Sequence, residues 1–443
     1  MKNLYKTNLV ILIAVTLLIH ITANTAKAER RPAQVGKENA GTTEHRVVFH
    51  DSNYDFELRR AMGYAISGGA DLNECLMVAW QITEGDADSW WTAWHQMADM
   101  VKSWGEASLA KGHRVSGRQS FLRASNYFRA AEFFLHGNPK DPRIMQSWRL
   151  SRNMFRRAAE LMEQQVKVLR IPYQNTTLPG YFLRPDHSNQ PRKILILMTG
   201  FDGTGEELYF NTAFFALKRG YNVLIFEGPG QGGALREQGL YFRPDWENVV
   251  TPIVDFALAR KDVDPRRIAL MGESMGGYLA PRAAAFEHRL AAIIANPGAF
   301  DLKGSGFPSA EAFDEMNAHP EETNKAVHQD MKSQIGFRWW INNGMFTTGK
   351  KTPLEFMNFW RQFTMQGVAS QITTPTLVIV SEGDIFSTPQ SQKRIYEELT
   401  CPKKLIVFQK DGVAPSHCQE GAKAEGNRRI FDWLDETLSA VEQ

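Results

Sequence analysis

The sequence predicts an α/β fold: a doubly wound, mostly parallel sheet, preceded by an all-helical cap domain and interrupted by a helical lid insertion. Three observations lead there. From about Tyr54 to Gln165 apolar residues recur only at helical spacing. After Gln165 short apolar runs alternate with amphipathic stretches, the pattern of strand–helix–strand units. One of those runs, Ile268-Ala269-Leu270-Met271, feeds directly into Gly272-Glu273-Ser274-Met275-Gly276, and a helix-forming stretch follows. A strand, a sharp turn flanked by small residues and a helix lift a serine hydroxyl above the sheet, the context a nucleophile elbow requires.

The helical part comes first. Phe56, Ala61, Met62 and Ala65 share one face; Trp90, Trp94, Met97 and Val101 form the next stripe. Phe121, Ala124, Tyr127, Phe128, Ala131 and Phe134 follow, and Asp141-Pro142 opens a further helix through Met145, Trp148, Phe155 and Leu161. Each of these aromatics reads first as helix-packing core and second as the wall of a substrate cavity.

In the second part Val166–Leu169 and Gly180–Leu183 read as a hairpin. Lys193–Met198, Tyr221–Phe226, Arg267–Met271, Ala291–Ala295, Pro375–Val380 and Lys404–Phe408 read as central strands. Helices are expected over Glu206–Lys218, Asp245–Arg260, Tyr278–Phe286, Pro389–Glu398 and Ala424–Leu438. Residues 299–370, rich in Trp339, Trp340, Phe346, Phe356, Phe359 and Trp360, break the alternation. An insertion there belongs over the C-terminal ends of the strands, as a lid.

The termini and composition bound the setting. Lys2 and Lys6 precede the uncharged run Leu9–Thr22, and Ala26-Lys27-Ala28 has the spacing of a signal-peptidase site. Residues 1–28 are therefore expected to be a signal peptide cleaved after Ala28, giving a secreted or periplasmic protein with no stable membrane insertion afterwards. An uncleaved anchor is the competing reading. Residues 29–50 read as a mobile N-terminus, 51–165 as the helical cap and 166–443 as the α/β domain. Cleavage deletes Lys2, Lys6 and Lys27 and no acid, which leaves 48 basic against 49 acidic residues. A near-neutral chain without a basic run gives no reason to expect nucleic acid. Cys75, Cys401 and Cys418 are too few and too scattered for a disulfide framework or a metal site, and are expected as free thiols. The glycine-rich turn Phe226–Gly232 lacks the Lys-Ser/Thr of a P-loop and the spacing of a dinucleotide fingerprint, so no cofactor is expected. The partner is a small-molecule substrate; a homodimer is left open.

A serine needs a base to take its proton, and the base needs an acid to hold it in the right tautomer. In alpha/beta-hydrolases these follow in the order Ser, acid, His, each at the C-terminal end of a strand. Thr376–Val380 is followed by Ser381-Glu382-Gly383-Asp384, and Leu405–Phe408 leads to His417. Ser274, Asp384 and His417 are thus the candidate catalytic residues, with Glu382 the alternative acid. Among the 11 histidines, His288, His319 and His328 precede the acid in the chain. The oxyanion is expected on the amide of Met275 and on that of Phe201, or else Asp202, in the turn after the first central strand. Asp202 and Glu206 are candidates for a further acid or a substrate contact; both also suit the start of a helix.

The stretch Arg123–Phe134, the turn Gly200-Phe201-Asp202-Gly203-Thr204 with Glu206-Glu207, Gly228-Pro229-Gly230-Gln231-Gly232 and the elbow together resemble one branch of the alpha/beta-hydrolases. That branch includes 2,6-dihydroxypseudooxynicotine hydrolase, the fungal yellowish-green pigment heptaketide hydrolases and, more distantly, fermentation-respiration-switch-type esterases. The resemblance covers most of the chain, the helical domain included, and carries the triad onto Ser274, Asp384 and His417. It implies cleavage of a C–C bond beside a ketone, or of an ester, in an aromatic or polyketide-like substrate. Other readings are a peptidase of the prolyl-oligopeptidase kind, which would carry a β-rich N-terminal domain, and a haloalkane-dehalogenase-like enzyme, which would carry Asp at the elbow. A non-catalytic binding module on the same scaffold is the reading outside enzymes.

Overall fold

The computed structural model describes residues 46–303 and 307–440. The expected signal peptide and the first part of the mature N-terminus lie outside the described residues. The chain then runs through helices Ser52–Gly63, Leu72–Ala79, Ala87–Ala110, Arg114–Glu132 and Pro142–Ala159, with the short 3-10 turn Phe133–Gly137 after the fourth. Asp51, Asp71, Asp86 and Asp141 start four of them by accepting backbone N–H groups of the first turn. The expected helical stripes are the buried ones: Trp90, Trp94, Phe121, Phe128, Trp148 and Phe155 are each at most 1% exposed. Among the described residues, no helix is long and apolar enough to cross a membrane.

Eight strands follow: β1 (Gln165–Tyr173), β2 (Thr176–Arg184), β3 (Arg192–Met198), β4 (Asn222–Phe226), β5 (Val263–Glu273), β6 (Ala292–Asn296), β7 (Thr376–Ser381) and β8 (Lys403–Phe408). Their order in the sheet is β1-β2-β4-β3-β5-β6-β7-β8. β1 and β2 form the expected hairpin and β2 meets β4 antiparallel, while every pair from β4 to β8 is parallel. The apolar runs are buried on both faces and divide by residue parity. Leu195, Leu197, Val223, Ile225, Ala269 and Met271 pack with the cap and the C-terminal helix Lys423–Ser439. Ile194, Ile196, Leu224, Phe226, Ile268 and Leu270 pack with helices Glu247–Leu258 and Gly276–Ala284 and with the insertion.

The helix expected over Glu206–Lys218 is interrupted. It begins as Gly205–Leu208, passes through a π-turn at Tyr209–Ala213 and resumes at Phe214–Lys218. A π-turn takes up one extra residue and rotates the helix beyond it. Here it brings the side chains of Asn211 and Thr212 onto the carboxylate of Glu273, the residue before the elbow serine. The insertion supplies helices Ala310–Ala318, Pro320–Asp330, Ile335–Thr348 and Pro353–Trp360. Cys75, Cys401 and Cys418 are free and buried, as expected.

Candidate active site

β5 ends at Glu273, and Ser274 has φ +59°, the left-handed conformation that costs a non-glycine residue energy and marks a strand-to-helix elbow. The neighbouring glycines are dictated by space. A Cβ on Gly272 would lie 2.0 Å from the Gly276 carbonyl oxygen, and one on Gly277 would lie 1.8 Å from that of Pro297. The Ser274 amide donates to the Asn296 carbonyl at the end of β6 (2.7 Å), which pins the turn to the sheet.

His417 and Asp384 come to the same point from the loops after β8 and β7. His417 Nε2 is 2.9 Å from Ser274 Oγ, and His417 Nδ1 is 2.6 Å from Asp384 Oδ2. Asp384 also accepts the amides of Phe386 (2.7 Å) and Ser387 (3.1 Å) and the Gln392 side-chain amide (2.8 Å). Its carboxylate is thereby fixed facing the imidazole. Glu382 turns elsewhere: its carboxylate accepts the Lys410 amide. Burial of His417 opposes a charge there, but the Asp384 carboxylate outweighs it and holds the imidazole well above its ordinary range. Cys418 and Gln419, both left-handed, turn the chain sharply after His417. The Gln419 side chain then exchanges hydrogen bonds with Asn296 (3.0 and 3.1 Å) and donates to Ser381 Oγ (3.0 Å). The histidine loop is in this way tied to the ends of β6 and β7. Asn296 and Gln419 are site residues that no motif announced.

The turn after β3 packs directly on the elbow, since a Cβ on Gly200 would meet Met275 N at 2.7 Å. Among the described residues neither the Met275 nor the Phe201 N–H donates to a protein acceptor. Both residues line a cavity of about 630 Å³ that also contains Ser274 and His417. Phe56 and Phe133 of the cap and Trp339, Trp340 and Trp360 of the insertion form its apolar wall. His288, His319 and His328 do not line it.

The polar wall of this cavity was largely hidden in the sequence. Asp202 lines it, but Arg60 of the first cap helix holds its carboxylate at 2.8 Å. The same guanidinium reaches both oxygens of Glu207 at 2.8 Å and Glu57 at 3.1 Å. Arg129 lies 3.4 Å from Glu207 and 3.6 Å from Glu57. Burial opposes charge on Glu207, yet Arg129 and Arg60 together bring it down to about 2; burial pushes Glu57 up to about 7. Glu206, expected as an acid or substrate contact, does not line the cavity. One helical step places it on the opposite side, where it accepts from Tyr181 Oη at 2.5 Å beside the buried Glu227. Glu207 takes the cavity side instead.

The comparisons with known proteins agree with this architecture. Residues 189–412 match the family described as Hydrolase_4, serine aminopeptidase, S33. That span holds Ser274 and Asp384 and ends before His417. The chain is 34% identical over 410 residues to "Hydrolase LUC6" of Fusarium sp, covering 88% of this chain and 98% of that one. It is 35% identical over 411 residues to "20-hydroxy-prefusarin hydrolase FUS2" of Gibberella moniliformis, with the same coverage of 88% and 98%. In three dimensions it superposes on 2,6-dihydroxy-pseudo-oxynicotine hydrolase with a TM-score of 0.68 at 22% identity, over 85% of this chain and 96% of the other. These matches extend through the helical cap, which the family span leaves out. The chain belongs to the Hydrolase_4 family of alpha/beta-hydrolases and is a hydrolase built on that fold with a helical N-terminal domain.

Proposed function

We propose that the protein is a cofactor-independent serine hydrolase that cleaves a C–C bond beside a ketone, or an ester, in a mid-sized aromatic or polyketide-like substrate. The observation that carries the reading is the continuous hydrogen-bonded line from Ser274 Oγ through His417 to Asp384, 2.9 and 2.6 Å long, starting at a serine with φ +59°. His417 Nε2 takes the Ser274 proton as Oγ adds to the substrate carbonyl, and Asp384 stabilises the imidazolium that forms. The resulting oxyanion accepts from the Met275 and Phe201 amides, each donor of this kind being worth roughly 10²–10³ in turnover. When the tetrahedral adduct collapses, the bond to the leaving group breaks. Its electron pair stays on the leaving carbon or oxygen, which takes the proton from His417. Water, deprotonated by His417, then releases the acyl group from Ser274.

The apolar wall of Phe56, Phe133 and the insertion tryptophans supports an aromatic or apolar substrate, and the name of the prefusarin hydrolase relative supports a polyketide-like one. Residues 1–28 read as a signal peptide, and this reading puts the enzyme outside the cytoplasm; a mature N-terminus at Glu29 on sequencing is the expected result. The catalytic assignment is tested by labelling with a fluorophosphonate. Ser274 is expected to be modified, and Ser274→Ala to lose both labelling and hydrolysis. Labelling at another residue, or full activity of the Ala variant, removes the assignment. Aryl esters and aryl 1,3-diketones offered in parallel, with products identified by mass, decide which bond is cut.

A further inference from the structure

The turn that presents the Phe201 amide is held through its carbonyls by side chains from elsewhere in the chain. Gln231 Nε2 donates to the carbonyl oxygens of Thr199 (2.6 Å) and Gly200 (3.3 Å). The third carbonyl, that of Phe201, accepts from Asn343 Nδ2 at 3.3 Å. Asn343 is fully buried on helix Ile335–Thr348 of the insertion. Its other amide atom, Oδ1, lies 2.7 Å from His136 Nδ1 in the cap's 3-10 turn.

Charge around His136 fixes which way this chain of bonds runs. Arg236 Nη2 donates to Glu132 at 2.7 Å and approaches His136 Nε2 at 3.5 Å. A guanidinium offers only donors, so Nε2 is the acceptor and the ring proton sits on Nδ1. Burial, with Arg236 beside it, pushes the imidazole down to about 4 and keeps it neutral. Nδ1–H therefore donates to Asn343 Oδ1, which turns the Asn343 amino group toward the Phe201 carbonyl. The insertion helix is seated on the cap by neighbours on the same face: Trp339 Nε1 donates to the Phe133 carbonyl and Asn342 Nδ2 to the Gly137 carbonyl, both at 2.7 Å.

We infer that Asn343, oriented by His136, is a positioning residue for the oxyanion site: through the Phe201 carbonyl it fixes the peptide that follows the Phe201 N–H and with it the backbone at Phe201, so that docking of the insertion helix on the cap sets the geometry in which the oxyanion is bound. The inference rests on the reading of Phe201 as an oxyanion donor. The Phe201 carbonyl belongs to the Phe201–Asp202 peptide, which meets the Gly200–Phe201 peptide carrying the Phe201 N–H at the Phe201 Cα. When the Asn343 bond is lost the first plane is free to swing, the backbone at Phe201 relaxes with it, and a donor displaced from the oxyanion loses its value to the transition state while substrate contacts stay in place.

The experiment uses the full mature chain and a fluorophosphonate probe, measuring the saturating labelling rate of Ser274 (kinact) apart from half-saturation (KI). Asn343→Leu is expected to lower kinact about tenfold or more with KI within about twofold. His136→Phe, which leaves Asn343 in place but unoriented, should lower kinact by a smaller factor in the same direction. His136→Asn, which restores a donor near Nδ1, should return most of it. Thermal melts of each variant report folding, and His136→Phe carries the test should Asn343→Leu not fold. A folded variant lacking the contact that labels at the wild-type kinact, or one in which only KI moves, overturns the inference. Failure of wild-type Ser274 to label removes the catalytic reading itself, and this inference with it.

Discussion

Replacing Arg60 by Ala is expected to destabilise the protein by about 3–5 kcal/mol, because it leaves buried carboxylates without their main partner. The guanidinium binds Glu207 through both oxygens and also holds Glu57 and Asp202. The side chains of Glu57 and Glu207 are 1% and 3% exposed, and water admitted from the cavity can solvate them but supplies no countercharge. Among the described residues Arg129, at 3.4 and 3.6 Å, is then the single cation shared by the two. With an unfolding entropy near 2 cal/mol/K per residue over some 400 residues, a loss of this size lowers Tm by about 4–6 °C. The pH dependence separates this from loss of packing. Glu207 has a folded pKa of about 2, below its ordinary 4.5, so its contribution is complete above 4.5 and fades as pH falls toward 2. The gap in Tm between wild type and Arg60→Ala should therefore be widest near neutrality and narrow through that window. Glu57, raised to about 7, has the opposite sign: its ionisation lowers wild-type stability as pH rises through 7. Arg60→Lys, which keeps the charge but not the two-pronged contact, should fall between the two. A Tm gap below about 1 °C at pH 7, or one that does not change with acid, would refute the reasoning.

Further outcomes rest on the same geometry. Because Asp384 raises His417 well above 6.5 and the base works only when neutral, the labelling rate of Ser274 should climb with a midpoint above 6.5; Asp384→Asn should move the midpoint down and depress the plateau, and a wild-type midpoint at or below 6.5 would contradict it. His417→Ala should lower turnover by several powers of ten, and a loss under about tenfold would end its role as base. Gly277→Ala drives a Cβ to 1.8 Å from the Pro297 oxygen, so the backbone must move; a loss of roughly 3 kcal/mol or more is expected in chemical denaturation, against no change if the helix start tolerates it. Trp360 packs edge-on against Phe201 at 5.0 Å in the cavity wall; Trp360→Ala should raise kcat/KM for bulky aryl esters relative to small ones, and an unchanged ratio would place the substrate elsewhere.

How much of this could be read in advance divides by the range of the contacts involved. The strands were visible because each central run is short, apolar and buried on both faces, and the elbow because its glycines answer to local backbone space. Ser274, Asp384 and His417 could be named since strand order alone brings strand ends together. The π-turn at Tyr209–Ala213 was not visible: its residues have ordinary helical propensities, and the turn is settled by the carboxylate of Glu273, about 60 positions away. Arg60 sits in no motif, and nothing local sets it apart from the other 50 Lys and Arg of the chain. Its partners at positions 202 and 207 lie in a turn where Glu206 was expected as the acid or substrate contact, and helix phase turns Glu207 to the cavity instead.

That division has a chemical consequence. The residues that strand order announces, Ser274, Asp384, His417 and the Met275 amide, lie in the turn or loops that follow a strand. The residues it hides, Arg60 on Asp202 and Asn343 on the Phe201 carbonyl, come from the cap and the insertion and grip the two sides of one short turn. The helical parts therefore do more than roof a cavity of about 630 Å³. Removing the cap would expose the apolar wall, strip Glu207 of its cations and free the turn proposed to carry the second oxyanion donor. A sheet domain isolated at residue 165 should for that reason retain neither a stable fold nor Ser274 labelling, and recovery of both in a fragment starting there would show that the turn holds its shape without the helices.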